Sequence, residues 1–122
     1  MDNPNKLPAG LTHAWRATGI ALQGLRAALK HEDAFRQEVL LAAILVPLAF
    51  WLPVGNLGKA LMIGSVMLVL MVELLNSAIE ATVDRISLDN HDLAKRAKDI
   101  GSAAVLVSLI NVLVVWGLVL AA

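Results

Sequence analysis

The chain has 122 residues, 58% of them hydrophobic, a mean hydropathy of +0.72 and a formal net charge of zero. That apolar share exceeds the roughly 45–50% of soluble domains and indicates a membrane protein, expected as one domain over residues 1–122. Zero net charge removes any general attraction to nucleic acid, and the lack of cysteine excludes disulfides and thiolate metal sites.

The opening residues, MDNPNKLPAG, are turn-rich, and no compact apolar stretch with a cleavage site follows, so no removable signal peptide is expected. Thr12 is placed to cap a helix over 11–30. There Leu11, Trp15, Thr18, Leu22, Leu25 and Leu29 recur at spacings of four and three, and Arg16, Gln23, Arg26 and Lys30 form a second stripe. The segment is too polar to span. It fits an amphipathic helix in the membrane interface with its basic side chains near lipid phosphates. Packing on a neighbouring element is the other reading.

Residues 34–52 form the first candidate span, with Pro47 inside it, Arg36 and Glu38 at one interface and Trp51 at the other. A turn over 53–58 leads to a second span, 59–83. A third, 100–121, carries no charge. On it Gly101, Ala104, Ser108 and Asn111 share a face of small and polar residues suited to close helix packing. Between these spans, Asp84 to Asp99 reads as a polar loop. Lys6, Arg16, Arg26, Lys30 and Arg36 precede the first span, and Arg85, Lys95, Arg96 and Lys98 lie between the second and third. Only Lys59 falls between the first two. The positive-inside rule then puts the N-terminus and the 84–99 loop in the cytoplasm and the C-terminus outside.

The stretch MVELLNSAIEATVDR (Met71 to Arg85) continues an apolar helix yet carries Glu73, Asn76, Glu80 and Asp84. On a helix these fall at roughly 0°, −60°, −20° and +20°, one stripe about 16 Å long. Acids facing hydrocarbon cost on the order of a few kcal/mol each, so partners, water or a ligand are expected. Interhelical hydrogen bonding is the purely structural reading. Carboxylates without nearby cysteine suit Mg²⁺, which commonly arrives with substrate phosphates. Lys98, Asp99 and His91 lie at the same membrane level, so a phosphate-handling site at the membrane surface is indicated. No Walker or protein-kinase signature occurs.

GLRAALKHEDAFRQE (Gly24 to Glu38), SVMLVLMVELLNSAIEATVDRI (Ser65 to Ile86) and RAKDIGSAAVL (Arg96 to Leu106) resemble the prokaryotic integral-membrane diacylglycerol kinases. The resemblance covers nearly the whole chain after Leu11. It implies an all-α membrane protein, with an N-terminal surface helix and three transmembrane helices, assembled as a homotrimer in the bacterial inner membrane. It also implies MgATP-dependent phosphorylation of the sn-3 hydroxyl of diacylglycerol, giving phosphatidic acid and ADP.

Carried over by position, Glu73 corresponds to the general base, with Asn76 and Lys98 beside it as catalytic residues. Glu32 and Glu80 correspond to ligands of magnesium and nucleotide. Asp84, Asp89, Asn90, His91, Lys98 and Asp99 match further ATP-contacting positions. For the lipid, the resemblance implies His13, then Arg26, Ala27, Ala28 and Leu29, then Ala34, Phe35, Arg36, Gln37 and Glu38. It adds Trp51, Leu52, Pro53, Val54 and Lys59, together with Glu73, Ser102 and Trp116. The chain departs from the family pattern at three places: His13 stands for an arginine, Thr18 for an alanine, and Asp89-Asn90 for a Glu-Tyr pair.

From the residues alone, Glu32 also reads as a solvated interfacial acid, His91 as a surface-loop residue, and Lys95 and Arg96 as simple anchors. A sister group that phosphorylates undecaprenol is the nearest alternative. A small proton-coupled transporter is the alternative from another class, but its glutamate belongs near the midplane, whereas these acids crowd toward one interface. A purely structural membrane subunit explains neither the stripe nor Lys98-Asp99.

Overall fold

The computed structural model describes residues 10–86 and 91–122, and the described residues form four helices. These are α1 (Leu11–His31), α2 (Asp33–Trp51), α3 (Asn56–Ile86) and α4 (Asp92–Ala121). The chain divides into two compact units, Met1–Glu32 and Asp33–Ala122.

In the first unit, α1 starts without a side-chain cap. Gly10 takes the N-cap position at φ 81°, a left-handed conformation open to glycine, and Thr12 lies inside the helix rather than capping it. Glu32 ends α1 in extended conformation, with its N–H bonded to Ala28 O at 2.9 Å. The apolar side chains Leu11, Trp15 and Leu22 are exposed.

In the second unit, α2, α3 and α4 are each long and apolar enough to cross a membrane. Pro47 sits inside α2 without ending it. Lys59 satisfies the carbonyls at the end of that helix. Its Nζ donates to Phe50 O at 2.5 Å and Leu52 O at 3.0 Å, and reaches Ala49 O at 3.5 Å. A cation there both pairs orphan carbonyls and opposes the negative end of the helix dipole. The expected 53–58 turn is shorter than its sequence suggests, because α3 already begins at Asn56.

The helix α3 packs against both α4 and α2. Its buried positions Met62, Val66, Val69, Glu73 and Asn76 step by four and three. The buried residues Phe35, Ala42 and Ala49 of α2, and Gly101 and Ser108 of α4, recur every seven. Seven-residue spacing is that of helices crossing at shallow angles of roughly 20°. Small side chains at these contacts let backbones approach where lipid offers no hydrophobic drive to associate. The small-residue face of α4 is therefore used at Gly101 and Ser108, while Ala104 is exposed.

Three contacts fix the antiparallel register of α3 and α4. A Cβ on Gly58 would sit 2.9 Å from Val119 Cγ1, Trp116 Nε1 donates to Met62 O at 3.2 Å, and Gly101 lies against Asn76. The segment from Gly58 to Asn76 on α3 is matched by an equally long one from Val119 back to Gly101 on α4, so the register holds over about 27 Å.

The polar stretch 84–99 is mostly helix rather than loop. Residues 84–86 complete α3 and 92–99 are the first turns of α4. No proline or glycine interrupts either piece, so a helix leaving the hydrocarbon has no reason to stop. His91 is the N-cap of α4, its Nδ1 accepting from Leu93 N at 3.1 Å.

Candidate active site

The α3 stripe descends from buried to exposed along one helix. Glu73 is 4% and Asn76 7% exposed, Glu80 is intermediate, and Asp84 is exposed. Asn76 Nδ2 donates to Glu80 Oε1 at 3.3 Å, one turn away. Asp84 pairs across to α4, its Oδ1 lying 2.5 Å from Lys98 Nζ, and Glu80 is within electrostatic reach of the same ammonium. The structure thus brings Asn76, Glu80, Asp84 and Lys98 into one cluster where α3 meets α4.

Glu73 lies at the deep end of this cluster and also faces α2. Glu38 is close enough for the two carboxylates to repel each other. Among the described residues, Glu38 Oε2 and Asn76 Oδ1 are buried without a hydrogen-bond partner. Buried polar atoms are satisfied as a rule, so orphans at a candidate site mark where a ligand or water belongs. Glu38 also borders an apolar cavity of ≈ 340 Å³ that reaches Leu41 and Leu45 of α2, Val66 and Val69 of α3, and Leu109, Val112 and Leu113 of α4.

Two other expected nucleotide residues, Asp99 and His91, are engaged within α4. Asp99 is paired with Lys95 at 2.7 Å on the exposed face of α4. Lys95 therefore holds a carboxylate of its own helix. His91 spends Nδ1 on the cap, while Asp89 and Asn90 lie outside the described residues. Glu32 belongs to the first unit, where it closes α1.

The expected lipid residues fall in several places. His13, Arg26, Ala27 and Leu29 are exposed on α1, and Ala28 is buried. At the start of α2, Phe35 is buried, Ala34 and Gln37 are exposed, and Arg36 pairs with Asp33. Ser102 is exposed near the start of α4. At the opposite end of the helices, Trp51 and Pro53 are exposed and Leu52 and Val54 partly so. There Lys59 is engaged by α2 carbonyls and Trp116 by Met62. The residue that sequence reasoning read only as packing, and that the structure sets against the cluster, is Gly101. Its buried place opposite Asn76 follows from the α3–α4 register, which the pattern of either helix alone does not supply.

For a metal, the donor chemistry fits a hard cation. The cluster offers carboxylate and amide oxygens, and among the described residues no group of three His, Asp or Glu side chains is close enough to form a dedicated cage. Magnesium is commonly held by one or two carboxylates, with substrate phosphates and water completing its shell.

Three helices long and apolar enough to cross a membrane, with a carboxylate–amide–ammonium cluster where α3 meets α4, mark the class as a helical membrane protein. The model of the family described as prokaryotic diacylglycerol kinase matches residues 19–120. A diacylglycerol kinase of Pseudomonas aeruginosa is 52% identical over 118 residues, covering 97% of this chain and 96% of its own. One of Haemophilus influenzae is 53% identical over 108 residues, covering 88% and 92%, and one of Escherichia coli is 50% identical over 111 residues, covering 91% of each. The chain belongs to the prokaryotic diacylglycerol kinase family, a family of membrane enzymes.

Proposed function

We propose that the protein transfers the γ-phosphoryl group of ATP to the sn-3 hydroxyl of diacylglycerol, forming phosphatidic acid and ADP. The observation that carries this reading is the burial gradient of the α3 stripe, from Glu73 at 4% exposure to exposed Asp84. A water-soluble nucleotide approaches from the exposed end, and a lipid hydroxyl meets the buried end without leaving the bilayer.

Glu73 removes the hydroxyl proton as the lipid oxygen attacks the γ-phosphorus and the bond to ADP breaks. Glu80, and by the family resemblance Glu32, would hold Mg²⁺ with the nucleotide, and the cation would supply neutralisation of phosphate charge. Asn76 orients Glu80 through its 3.3 Å hydrogen bond. Lys98, paired with Asp84 here, exchanges that carboxylate for nucleotide phosphate and offsets negative charge in the transition state. The remaining nucleotide contacts are Asp89, Asn90, His91 and Asp99. Of the lipid residues, Glu38 lies at the Glu73 end and Lys59 and Trp116 at the other, a spread that suits a substrate with its hydroxyl at Glu73 and its chains running along the helices. The apolar cavity beside Glu38 is a fitting seat for part of an acyl chain.

In this reading the protein is a homotrimer in the bacterial inner membrane. The N-terminus and 84–99 segment are cytoplasmic, the C-terminus is outside, and α1 lies amphipathically in the interface. The exposed Leu11, Trp15 and Leu22 support that place for α1. Names of relatives favour diacylglycerol over undecaprenol. Acids confined to one end of the spans argue against a transporter. Purified protein with MgATP and either lipid tests the proposal. Phosphatidic acid should exceed undecaprenyl phosphate, and phosphorylation of undecaprenol alone, or of neither lipid, would overturn it.

A further inference from the structure

A Cβ built on Gly101 would collide with Asn76 Oδ1 and lie 3.3 Å from Asn76 Cγ. Gly101 is buried and Asn76 is 7% exposed, so the amide has little room to step aside. The Cα–H that replaces a side chain at Gly101 points toward Oδ1, an arrangement found between closely packed helices. Among the described residues Oδ1 has no other partner, while Nδ2 donates to Glu80 Oε1 at 3.3 Å. The two ends of the amide are therefore not interchangeable. Reversed, Asn76 would set an oxygen against the Glu80 carboxylate and an N–H against the glycine Cα–H.

We propose that Gly101 is a positioning residue: by lacking a side chain it fixes the Asn76 amide, which in turn aims the Glu80 carboxylate at the magnesium–nucleotide. The inference rests on the reading of Glu80 as a ligand given above. The molecule supplies its own control. Gly58 also meets α4 closely, though less so, with 2.9 Å from Cβ to Val119 Cγ1, and it does so against an apolar side chain at the other end of the helix pair. A glycine needed only for packing should behave like Gly58.

The test compares Gly101→Ala with Gly58→Ala in lipid or detergent, using thermal unfolding with graded Mg²⁺ and a non-hydrolysable ATP analogue. A ligand that binds only the folded state stabilises it by RT ln(1 + [L]/Kd), so the concentration needed for a given upward shift scales with Kd. Both substitutions should lower the ligand-free midpoint. Only Gly101→Ala should require at least about tenfold more analogue for the same upward shift, the usual scale for losing a residue that orients a metal ligand. In an Asn76→Ala background the collision is relieved and the amide is gone, so Gly101→Ala should add no further loss of analogue affinity. That double variant serves even where Gly101→Ala alone does not fold. Wild-type analogue affinity in Gly101→Ala, or an undiminished effect in the Asn76→Ala background, would overturn the proposal. Failure of the analogue to stabilise the wild-type protein would instead sink the ligand reading of Glu80 on which it stands.

Discussion

The helices α3 and α4 approach closely at two places about 27 Å apart, and each place uses a glycine. At one, Gly58 lies against Val119, with Trp116 bonded to the Met62 carbonyl and Lys59 tying down the end of α2. The hydrogen-bonding groups there are paired with backbone. At the other, Gly101 lies against Asn76, whose Oδ1 is orphaned, and the neighbouring charges Asp84 and Lys98 are only half buried. The same steric device serves a fastening in one case and an unfinished polar site in the other. Buried polar atoms are satisfied as a rule, so the orphan at Asn76 calls for an explanation that the Gly58 end does not, and the proposed nucleotide site supplies one.

Substitutions at the two ends should therefore separate activity from stability. The largest effect is expected at Glu73. Glu73→Gln should lose at least ~10²-fold in kcat with folding and MgATP affinity retained. A near wild-type kcat at saturating substrates would dissolve the distinction at its deepest point. Glu80→Gln should raise the Mg²⁺ concentration for half-maximal activity by about 10- to 100-fold. Lower stability with unchanged Mg²⁺ dependence would make Glu80 a fastening too.

At the other end the expected signature is reversed. Lys59→Met removes a charged donor from the α2 carbonyls and should cost about 2 kcal/mol of stability. A loss of lipid affinity at unchanged stability would make Lys59 a lipid contact and not a fastening. Smallest of the four is Trp116→Phe, which deletes the bond to Met62 O and should cost about 1 kcal/mol in equilibrium unfolding, with kcat at saturating lipid unchanged. A fall in kcat larger than the fall in stability would show that the apolar end takes part in chemistry.

The parts of this design legible in the sequence are those written along a single helix. Apolar length gave the three candidate spans, and a spacing of three and four put Glu73, Asn76, Glu80 and Asp84 on one stripe. The stretch 84–99 misled because polarity between spans resembles a loop, whereas helix continues wherever no breaker stops it. Thr12 looked like a cap, but the chain turns into α1 two residues earlier, at Gly10. The rest depends on which residues meet across helices. Nothing near Gly101 in the chain names Asn76, and nothing near Lys59 names the carbonyls of residues 49, 50 and 52. Those partners appear only when the connection between α2 and α3 and the register of α3 with α4 are set.

That register gives the protein a built-in ruler. Helical rise is inextensible on this scale, so the span from the Trp116 fastening to Gly101 stays constant whatever membrane surrounds it. A bilayer thicker or thinner than this span must deform, or the helices must tilt, to keep apolar surface covered. On the proposed reading, either response changes the depth at which a lipid hydroxyl floats relative to the Glu73 carboxylate, which cannot follow it. The thickness of the surrounding membrane thereby becomes a variable in the encounter between enzyme and substrate, set by neighbouring lipids that never enter the site.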